Sequence, residues 1–290
     1  MKQKGKLKQK WNLLKRDPKS FLLFLAVTLA MLFTMTALLF VVGYILVKGI
    51  PHLTPELFAG KYTSENVSLM PALFNTICMT ALSLLFAVPV GIGAAVYLTE
   101  YAKRGNRLVV LVGMTAETLS GIPSIVYGLF GALFFVKYIG FGLSLLSGAL
   151  TLSIMILPLI MRTTEEALRA VPDSYREGSF GLGAGRLRTV FQIVLPSAVP
   201  GILAGITLGI GRIVGESAAL IFTAGTVAEP VTNLLDSART LSVHMYAISG
   251  EGLYLDQTYA TAVVLLVVVI LINALSGYIA KKFGGINAHE

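Results

Sequence analysis

Two ionisable residues four positions apart, Arg212 and Glu216, lie in a stretch of the chain that is otherwise uncharged, residues 197–222. A third, Glu117, is the only charged residue of the stretch 108–136. A charge at the centre of a bilayer costs about 3 kcal/mol or more, so such residues usually face protein or a water-filled path. These three residues are therefore the first candidates for contact with a charged substrate.

The chemistry of Arg212 and Glu216 favours an anion as that substrate. A guanidinium presents a rigid set of donors that matches two oxygens of a phosphate or carboxylate. Residues four apart on a continuous helix are neighbours on one face, so we expect Glu216 to neutralise Arg212 until an anion displaces it. The pair would then belong to a translocation path, where binding must be weak enough for release. The alternative is a structural ion pair that holds helices together.

Glu117 has three interpretations. It is separated from Arg107 by only ten positions, so it can be a charge near the cytoplasmic end of its stretch. It can also pair with a basic residue of a second chain across an interface. In the third interpretation it lines the exit of the path. The sequence favours none of the three.

Other kinds of chemistry lack a residue pattern in this chain. The pattern G-x-x-x-x-G-K-[S/T] does not occur, so the chain does not hydrolyse ATP through a phosphate-binding loop. The three histidines, at 52, 244 and 289, are scattered and outside every apolar stretch, which disfavours a metal site and an intramembrane enzyme. One cysteine, Cys78, excludes an internal disulfide. We therefore expect that the chain is not an enzyme and that it binds no cofactor.

Six apolar stretches must position these residues. The chain is 55% hydrophobic and only 13% charged, with a mean hydropathy of +0.78, unlike a soluble domain. About 20 apolar residues cross a bilayer as a helix. The stretches that meet or approach this length are 21–47, 72–98, 108–136, 141–161, 197–222 and 258–280. The sequence therefore predicts an all-α polytopic membrane protein with six transmembrane helices.

Positive charge indicates how these helices are oriented. Eighteen of the 23 lysines and arginines fall in the two tails and in alternate polar segments, and only four fall in the segments between those. Basic segments stay in the cytoplasm, so both termini are expected there, and segments 48–71 and 223–257 outside, as connections or as contacts for an external partner. The predicted parts are a basic tail (1–20), an anchor helix (21–47), a core (72–280) with a cytoplasmic loop (162–196), and a C-terminal tail (281–290).

Glycines recur every four residues in the fifth stretch, first at Gly201, Gly205 and Gly209 and then at Gly211 and Gly215. Small residues at this spacing allow helix backbones to approach closely. We expect them to pack against a neighbouring helix.

The loop 162–196 contains a glutamate, a glycine six residues later and an I-x-L-P ending. This spacing resembles the EAA loop of ABC-importer permeases, a cytoplasmic segment whose short helix docks into a groove on the ATPase subunit. Two alanines usually follow the glutamate, but Gly178 and Ser179 stand here; both are small, although they lower helix propensity. The residues that the resemblance assigns to ATPase coupling are Glu177, Gly178, Ser179, Gly183, Ile193, Leu195 and Pro196.

Further segments are similar to the phosphate (Pst) branch of these permeases. ETLSGIPSIVYGLFG, at 117–131, resembles its GIPS-V-YG-FG segment, and GRIVGESAAL, at 211–220, resembles its R-x-x-G-E-[S/T] helix. RTLSVHMY, at 239–246, and YATAVVLL, at 259–266, look more like the PstA-type subunit than the PstC type. The resemblance covers residues 62–281.

The resemblance implies a type I (MetI-like) permease in a bacterial inner membrane. A homologous PstC-like permease would complete the path, two PstB-like ATPase subunits would bind the loops and use ATP, and a PstS-like external protein would deliver phosphate. In the loop, a short helix at 175–182 would transmit motion to Arg212. Pro172 would open this helix, Gly183 would allow the turn after it, and Pro196 would mark the beginning of the fifth span.

Two alternatives remain at this stage. The first is a permease of the same class for another oxyanion, such as sulfate, molybdate or phosphonate, because selectivity in such systems resides largely in the binding protein. The second is a stand-alone channel, which would not need a loop of this kind.

Overall fold

The computed structural model describes residues 18–103, 107–250 and 252–284. Within these ranges the chain forms helices and no strands. Most of the predicted basic tail and the last six residues of the C-terminal tail lie outside them. The helices are α1 (Pro18–Gly49), α2 (Met70–Val96), α3 (Arg107–Ser120), α4 (Ser124–Gly131), α5 (Leu145–Arg169), α6 (Asp173–Gly181), α7 (Arg186–Thr189), α8 (Leu195–Gly215), α9 (Ala218–Thr223), α10 (Leu241–Gly250) and α11 (Leu255–Gly284).

Three π-helical turns extend these helices. Tyr97–Tyr101 continues α2, Ala132–Tyr138 continues α4, and Val190–Val194 joins α7 to α8. Two 3-10 turns, Ile50–His52 and Pro55–Phe58, follow α1.

Five helical segments of the described chain are long and apolar enough to cross a membrane. They confirm five of the six predicted spans. The third, predicted as one straight helix, is two helices that meet at an angle of 102° after Ser120. Pro123 explains the break, because proline lacks an amide hydrogen and disfavours a helical conformation in the residue before it. Six spans result if this bent pair counts as one.

Helix α5 is the centre of the molecule. It packs against α2 on one side and α8 on the other. Leu152, Met155 and Ile156 of α5 are almost fully buried and form one apolar cluster with Met79 of α2 and Leu220 of α9. Because lipid tails are as apolar as these side chains, the cluster stabilises the fold through close van der Waals packing.

Helix α1 lies at the periphery and packs against α11. The Tyr44 and Tyr259 rings meet edge to face, with centroids 5.8 Å apart. The rest of α1 exposes large apolar side chains, which suits a lipid environment. A helix is thus confirmed where the sequence predicts an anchor.

The glycine repeat of the fifth span has two parts. A methyl group on Gly201 would lie 2.6 Å from Ala167 of α5, and one on Gly205 would lie 2.0 Å from the Thr163 hydroxyl oxygen. These glycines therefore allow α8 to touch α5, as predicted. Gly211 and Gly215 have no such neighbour within 4 Å in the described chain, so packing against another helix stays a prediction for them.

The fifth span also differs from the prediction at both ends. It begins at Arg186 and continues to Gly215 as one helical segment, so Pro196 lies inside it and does not mark its beginning. The π-helical turn before Pro196 accounts for this, because Leu195 donates to Val190 and the helix continues through a residue that cannot donate. The segment then stops at Gly215, before the predicted end.

We define the loop end of the molecule as the end that carries the residues between α2 and α3 and those from Arg169 to Arg186. At the opposite end, the segments after α1 and α9 fold over the helices as short turns and α10. Asn75 of α2 anchors the segment after α9: its amide donates to the carbonyls of Glu229 and Arg239 and accepts from the Val231 amide at 2.9 Å.

Candidate functional site

Glu216 follows the last residue of α8 and has an extended conformation (φ −77°, ψ 129°). Its carboxylate accepts a hydrogen bond from the Ala219 amide at 3.0 Å, which caps the start of α9. Its carbonyl accepts one from the Ser242 hydroxyl of α10. The expectation that Glu216 shares a helix face with Arg212 is therefore wrong, because the helix ends before Glu216 and the carboxylate is used as a cap.

Arg212 lies in the last turn of α8 and is partly exposed. In the described part of the chain its guanidinium has no hydrogen bond and no carboxylate within 4.0 Å. Tyr127 of α4, whose hydroxyl donates to the Leu119 carbonyl at 2.7 Å, lies within range of its charge. Within the described chain, the donors of Arg212 therefore have no partner, and neither Gly211 nor Gly215 has a neighbour that a methyl group would meet.

Glu117 of α3 has a partner in its own chain. Its Oε2 atom lies 3.3 Å from Nη2 of Arg162, and the two side chains are 70% and 42% exposed. The sequence analysis placed Arg162 in the loop, whereas it belongs to α5. The pair does not bury Glu117, so its place at an exit path or at an interface between chains stays a prediction.

The loop contains the short helix that the sequence predicts. Helix α6 begins at Asp173, after Pro172, and ends at Gly181. Gly183 then adopts a positive φ of 83°, which is open to glycine and strained for a β-branched residue. The chain turns there and enters α7 at Arg186.

Ser179, one of the residues that the loop resemblance assigns to ATPase coupling, connects α6 to the fifth span. Ser179 is buried, and its hydroxyl lies 2.8 Å from that of Thr189 in α7. Ile193 and Gly183 line a shallow cavity of about 330 Å³ beside this contact. Leu195 packs into the adjacent apolar cluster. Glu177, Gly178 and Pro196 are exposed and make no such contact within the chain.

Several large apolar side chains are exposed around α6. Leu182 is 91% exposed, and four others in this region are about half exposed or more: Tyr175, Phe180, Leu187 and Phe191. An exposed apolar surface of this kind marks a contact with another protein or with the membrane. We call it the loop-end apolar surface.

The sequence analysis missed an ion pair between Glu100 and Arg176. Arg176 Nη2 lies 2.7 Å from Glu100 Oε1, and Nε reaches both carboxylate oxygens at 3.2 and 3.3 Å. The remaining hydrogens bond the carbonyls of Val171 and Leu168 and the carboxylate of Asp173. The hydrogen bonds to Glu100 raise the pKa of Arg176. This ion pair joins α6 to the ends of α2 and α5.

The signal for this pair was weak in the sequence. Arg176 directly precedes the glutamate of the loop pattern, and Glu100 stands two residues after a predicted span. Each reads as an ordinary charge at a membrane boundary. Their separation of 76 residues hides the contact.

Comparison with known proteins places these features in context. Residues 87–285 match a family described as the binding-protein-dependent transport system inner membrane component. The chain is 34% identical over 229 residues to a probable ABC transporter permease protein, YqgI, of Bacillus subtilis, covering 74% of this chain and 78% of that protein. It is 34% identical over 236 residues to the phosphate transport system permease protein PstA of Xylella fastidiosa, covering 78% and 80%.

Among solved structures, a chain of a bacterial alginate ABC transporter in complex with an alginate-bound periplasmic protein superposes with a TM-score of 0.68. The match covers 94% of this chain and 98% of that one at 18% identity. At this identity the likeness shows a shared fold.

Proposed function

The chain belongs to the family of binding-protein-dependent transport system inner membrane components, and on that premise we propose that it is a PstA-like permease subunit of an ATP-driven phosphate importer. The observation that carries the proposal is the guanidinium of Arg212, which has no partner in the described part of the chain, beside the open positions of Gly211 and Gly215. Phosphate offers oxygens in the geometry that a guanidinium binds best.

The subunit forms half of the path, and a homologous PstC-like permease forms the other half. Arg212 faces the path and attracts the anion, without a neighbouring carboxylate that would have to be displaced. Since a path must release what it binds, one guanidinium is better suited here than a closed binding pocket.

The ATP-driven step acts through the loop end, which the distribution of basic residues places in the cytoplasm with both termini. The loop-end apolar surface docks to one of two PstB-like ATPase subunits, which hydrolyse ATP; this chain is not an enzyme. On the outer side of the bacterial inner membrane, a PstS-like protein delivers phosphate to the segment after α9, which Asn75 anchors.

Coupling between the two sites uses one rigid segment. The contact between Ser179 and Thr189 fixes α6 to the segment Arg186–Gly215, whose 30 residues are about 45 Å long at the rise of an α-helix. Arg212 lies near the far end of this segment. A displacement of α6 by the ATPase therefore moves Arg212 between outward and inward exposure.

The test is uptake of labelled phosphate by proteoliposomes that contain the assembled transporter. We expect Arg212→Ala to assemble and to lose uptake by about tenfold or more, the effect of one charge-assisted contact. Arg212→Lys keeps the positive charge but loses the guanidinium geometry, so its uptake shows which of the two transport requires. Lys137→Ala, which removes an exposed cation from the extension of α4, is the control.

Two results would contradict the proposal. Unchanged uptake by Arg212→Ala would remove Arg212 from the path. Competition by sulfate, molybdate or a phosphonate at the same concentration as phosphate would assign the transporter to another oxyanion.

A further inference from the structure

A second charged cavity lies at the loop end, away from Arg212. It has a volume of about 860 Å³ and lies between the end of α2, the start of α3 and α6. None of the residues assigned to the path or to ATPase coupling lines it. The mechanism proposed above therefore leaves this cavity unused.

The wall of the cavity carries free positive charge. Lys103 and Arg186 line it, both are exposed, and neither has a carboxylate within 4.0 Å in the part of the chain that the structure describes. Arg186 lies over the Tyr101 ring, 5.5 Å from its centroid, which holds the guanidinium at the wall.

The cavity keeps a net positive charge although some of its charges are paired. Four cations line it (Lys103, Arg169, Arg176 and Arg186) against two carboxylates, Glu100 and Asp173. Both carboxylates contact Arg176, and Arg169 contacts Glu165, which lies outside the lining. Lys103 and Arg186 therefore remain the cations of this cavity without a direct acidic partner in the described chain.

Apolar side chains also line the cavity. They are Leu98, Val109 and Val110, of which Val110 is 53% exposed. An apolar wall beside free cations at the end of membrane helices matches an anionic phospholipid, whose phosphate needs donors and whose acyl chain needs an apolar surface. Basic pockets between helices on the cytoplasmic side bind lipid headgroups in this way.

We propose that this cavity binds a phosphoryl group through Lys103 and Arg186, and that an anionic phospholipid of the surrounding membrane supplies it. Free phosphate has the same chemistry, so the experiment must separate the two sources. The proposal does not require phosphate to be the transported substrate. Because Asp173 and Arg176 of α6 also line the cavity, a bound headgroup lies against the helix that we assign to ATPase coupling.

The experiment measures binding to the assembled, delipidated transporter in neutral detergent by native mass spectrometry. The probes are phosphatidylglycerol, phosphatidylcholine and inorganic phosphate. We expect the double variant Lys103→Gln/Arg186→Gln to bind phosphatidylglycerol about tenfold or more weakly, since each cation contributes a charge-assisted contact. Phosphatidylcholine should bind weakly to every variant.

Matched variants control for net charge and for folding. Lys48→Gln/Lys137→Gln makes the same charge change at the opposite end and should leave binding unchanged. Lys103→Arg/Arg186→Lys keeps both charges and should retain binding, which separates lost charge from disturbed structure.

Each outcome decides the proposal. Saturable binding of inorganic phosphate that the Gln variant loses would support the site and assign it to free phosphate. Equal phosphatidylglycerol binding by the Gln variant and its control would overturn the proposal. So would phosphatidylglycerol binding to the isolated chain that disappears in the assembled transporter, because a partner subunit would then cover the cavity.

Discussion

Within the described chain, Arg212 has no ion-pair partner although Glu216 is only four residues away. The carboxylate of Glu216 already accepts the Ala219 amide, and the chain between them leaves the helix at Gly215. The residue that suggested an ion pair is thus used at the start of the next helix and not beside Arg212.

His244 is a second residue whose environment determines its charge. It is fully buried in α10, and neither ring nitrogen has a hydrogen-bond partner in the described chain. The Tyr62 ring packs against it edge to face, and the Arg239 guanidinium lies over the same tyrosine. Burial, and then the charge of Arg239, lower the pKa of His244 to about 4; the nearby Val67 backbone opposes this shift only weakly.

This pKa predicts a stability that depends on pH. The unfolded chain binds a proton at His244 below pH 6.5, whereas the folded chain does so only below about 4. Stability from this residue is therefore complete above pH 6.5 and decreases as pH falls towards 4, by about 3 kcal/mol at most. We expect His244→Leu to reduce this dependence in thermal unfolding of the purified chain between pH 8 and pH 5.

The control for His244 is His52→Leu, at an exposed histidine that lies 3.4 Å from Asp256. An identical pH dependence in wild type and His244→Leu would mean that another group titrates in this range.

At the scale of elements, α6 is held by its own subunit before any partner binds. The Glu100–Arg176 pair is largely buried, with 8% and 16% of the side chains exposed. A displacement of α6 is therefore transmitted to α2 and α5 as well as to α8. The sequence predicted the short helix but not its ties to α2 and α5.

We expect Arg176→Ala to reduce the free energy of unfolding by about 3 kcal/mol, because it leaves the buried Glu100 carboxylate without a partner. In the assembled transporter it should also reduce phosphate uptake more than ATP hydrolysis, since α6 would no longer move with α2 and α5. Stability and the ratio of uptake to hydrolysis are the two measurements.

Arg188→Ala is the matched control, because Arg188 lies in the same loop, is exposed and, among the residues that the structure describes, bonds only Gln192. If both variants changed the ratio equally, the effect would come from loop charge and not from the buried pair. Glu100→Gln, which keeps an acceptor for Arg176, should fall between wild type and Arg176→Ala.

At the scale of the whole molecule, the two ends have different surfaces. The loop end exposes the loop-end apolar surface and carries the basic residues of the loop. The opposite end is closed by segments that hydrogen-bond to the starts of the helices, such as the Leu241 amide to the Thr76 hydroxyl. This asymmetry agrees with the proposal of an ATPase subunit at the loop end and an external binding protein at the opposite end.

Cysteine accessibility tests the orientation. In a Cys78→Ser background, a membrane-impermeant maleimide should label Leu253→Cys in intact spheroplasts and Leu182→Cys only after permeabilisation. Both positions are more than 80% exposed, at 81% and 91%, and lie at opposite ends. The ATPase partner is left out of these cells because it would cover Leu182. The reverse labelling pattern would mean that the chain has the opposite orientation in the membrane.

The sequence by itself determined the features that depend on local composition. Apolar length predicted six spans, five of which are confirmed as continuous helical segments of the described chain, and Pro172 and Gly183 bounded the short helix of the loop, because hydropathy and backbone preference act within a few residues. The bend of the third span was also encoded locally, in Pro123, but a hydropathy pattern gives no information about the direction of the helix axis.

Only the tertiary structure decided which charges meet. Glu117 pairs with Arg162, Glu100 pairs with Arg176, and the carboxylate of Glu216 caps a helix instead of pairing with Arg212. Each outcome depends on how helices far apart in sequence pack around α5, or on where one helix stops. Short-range patterns carry no information about those distances, so a charged residue near a span has many partners open to it until the helices are packed.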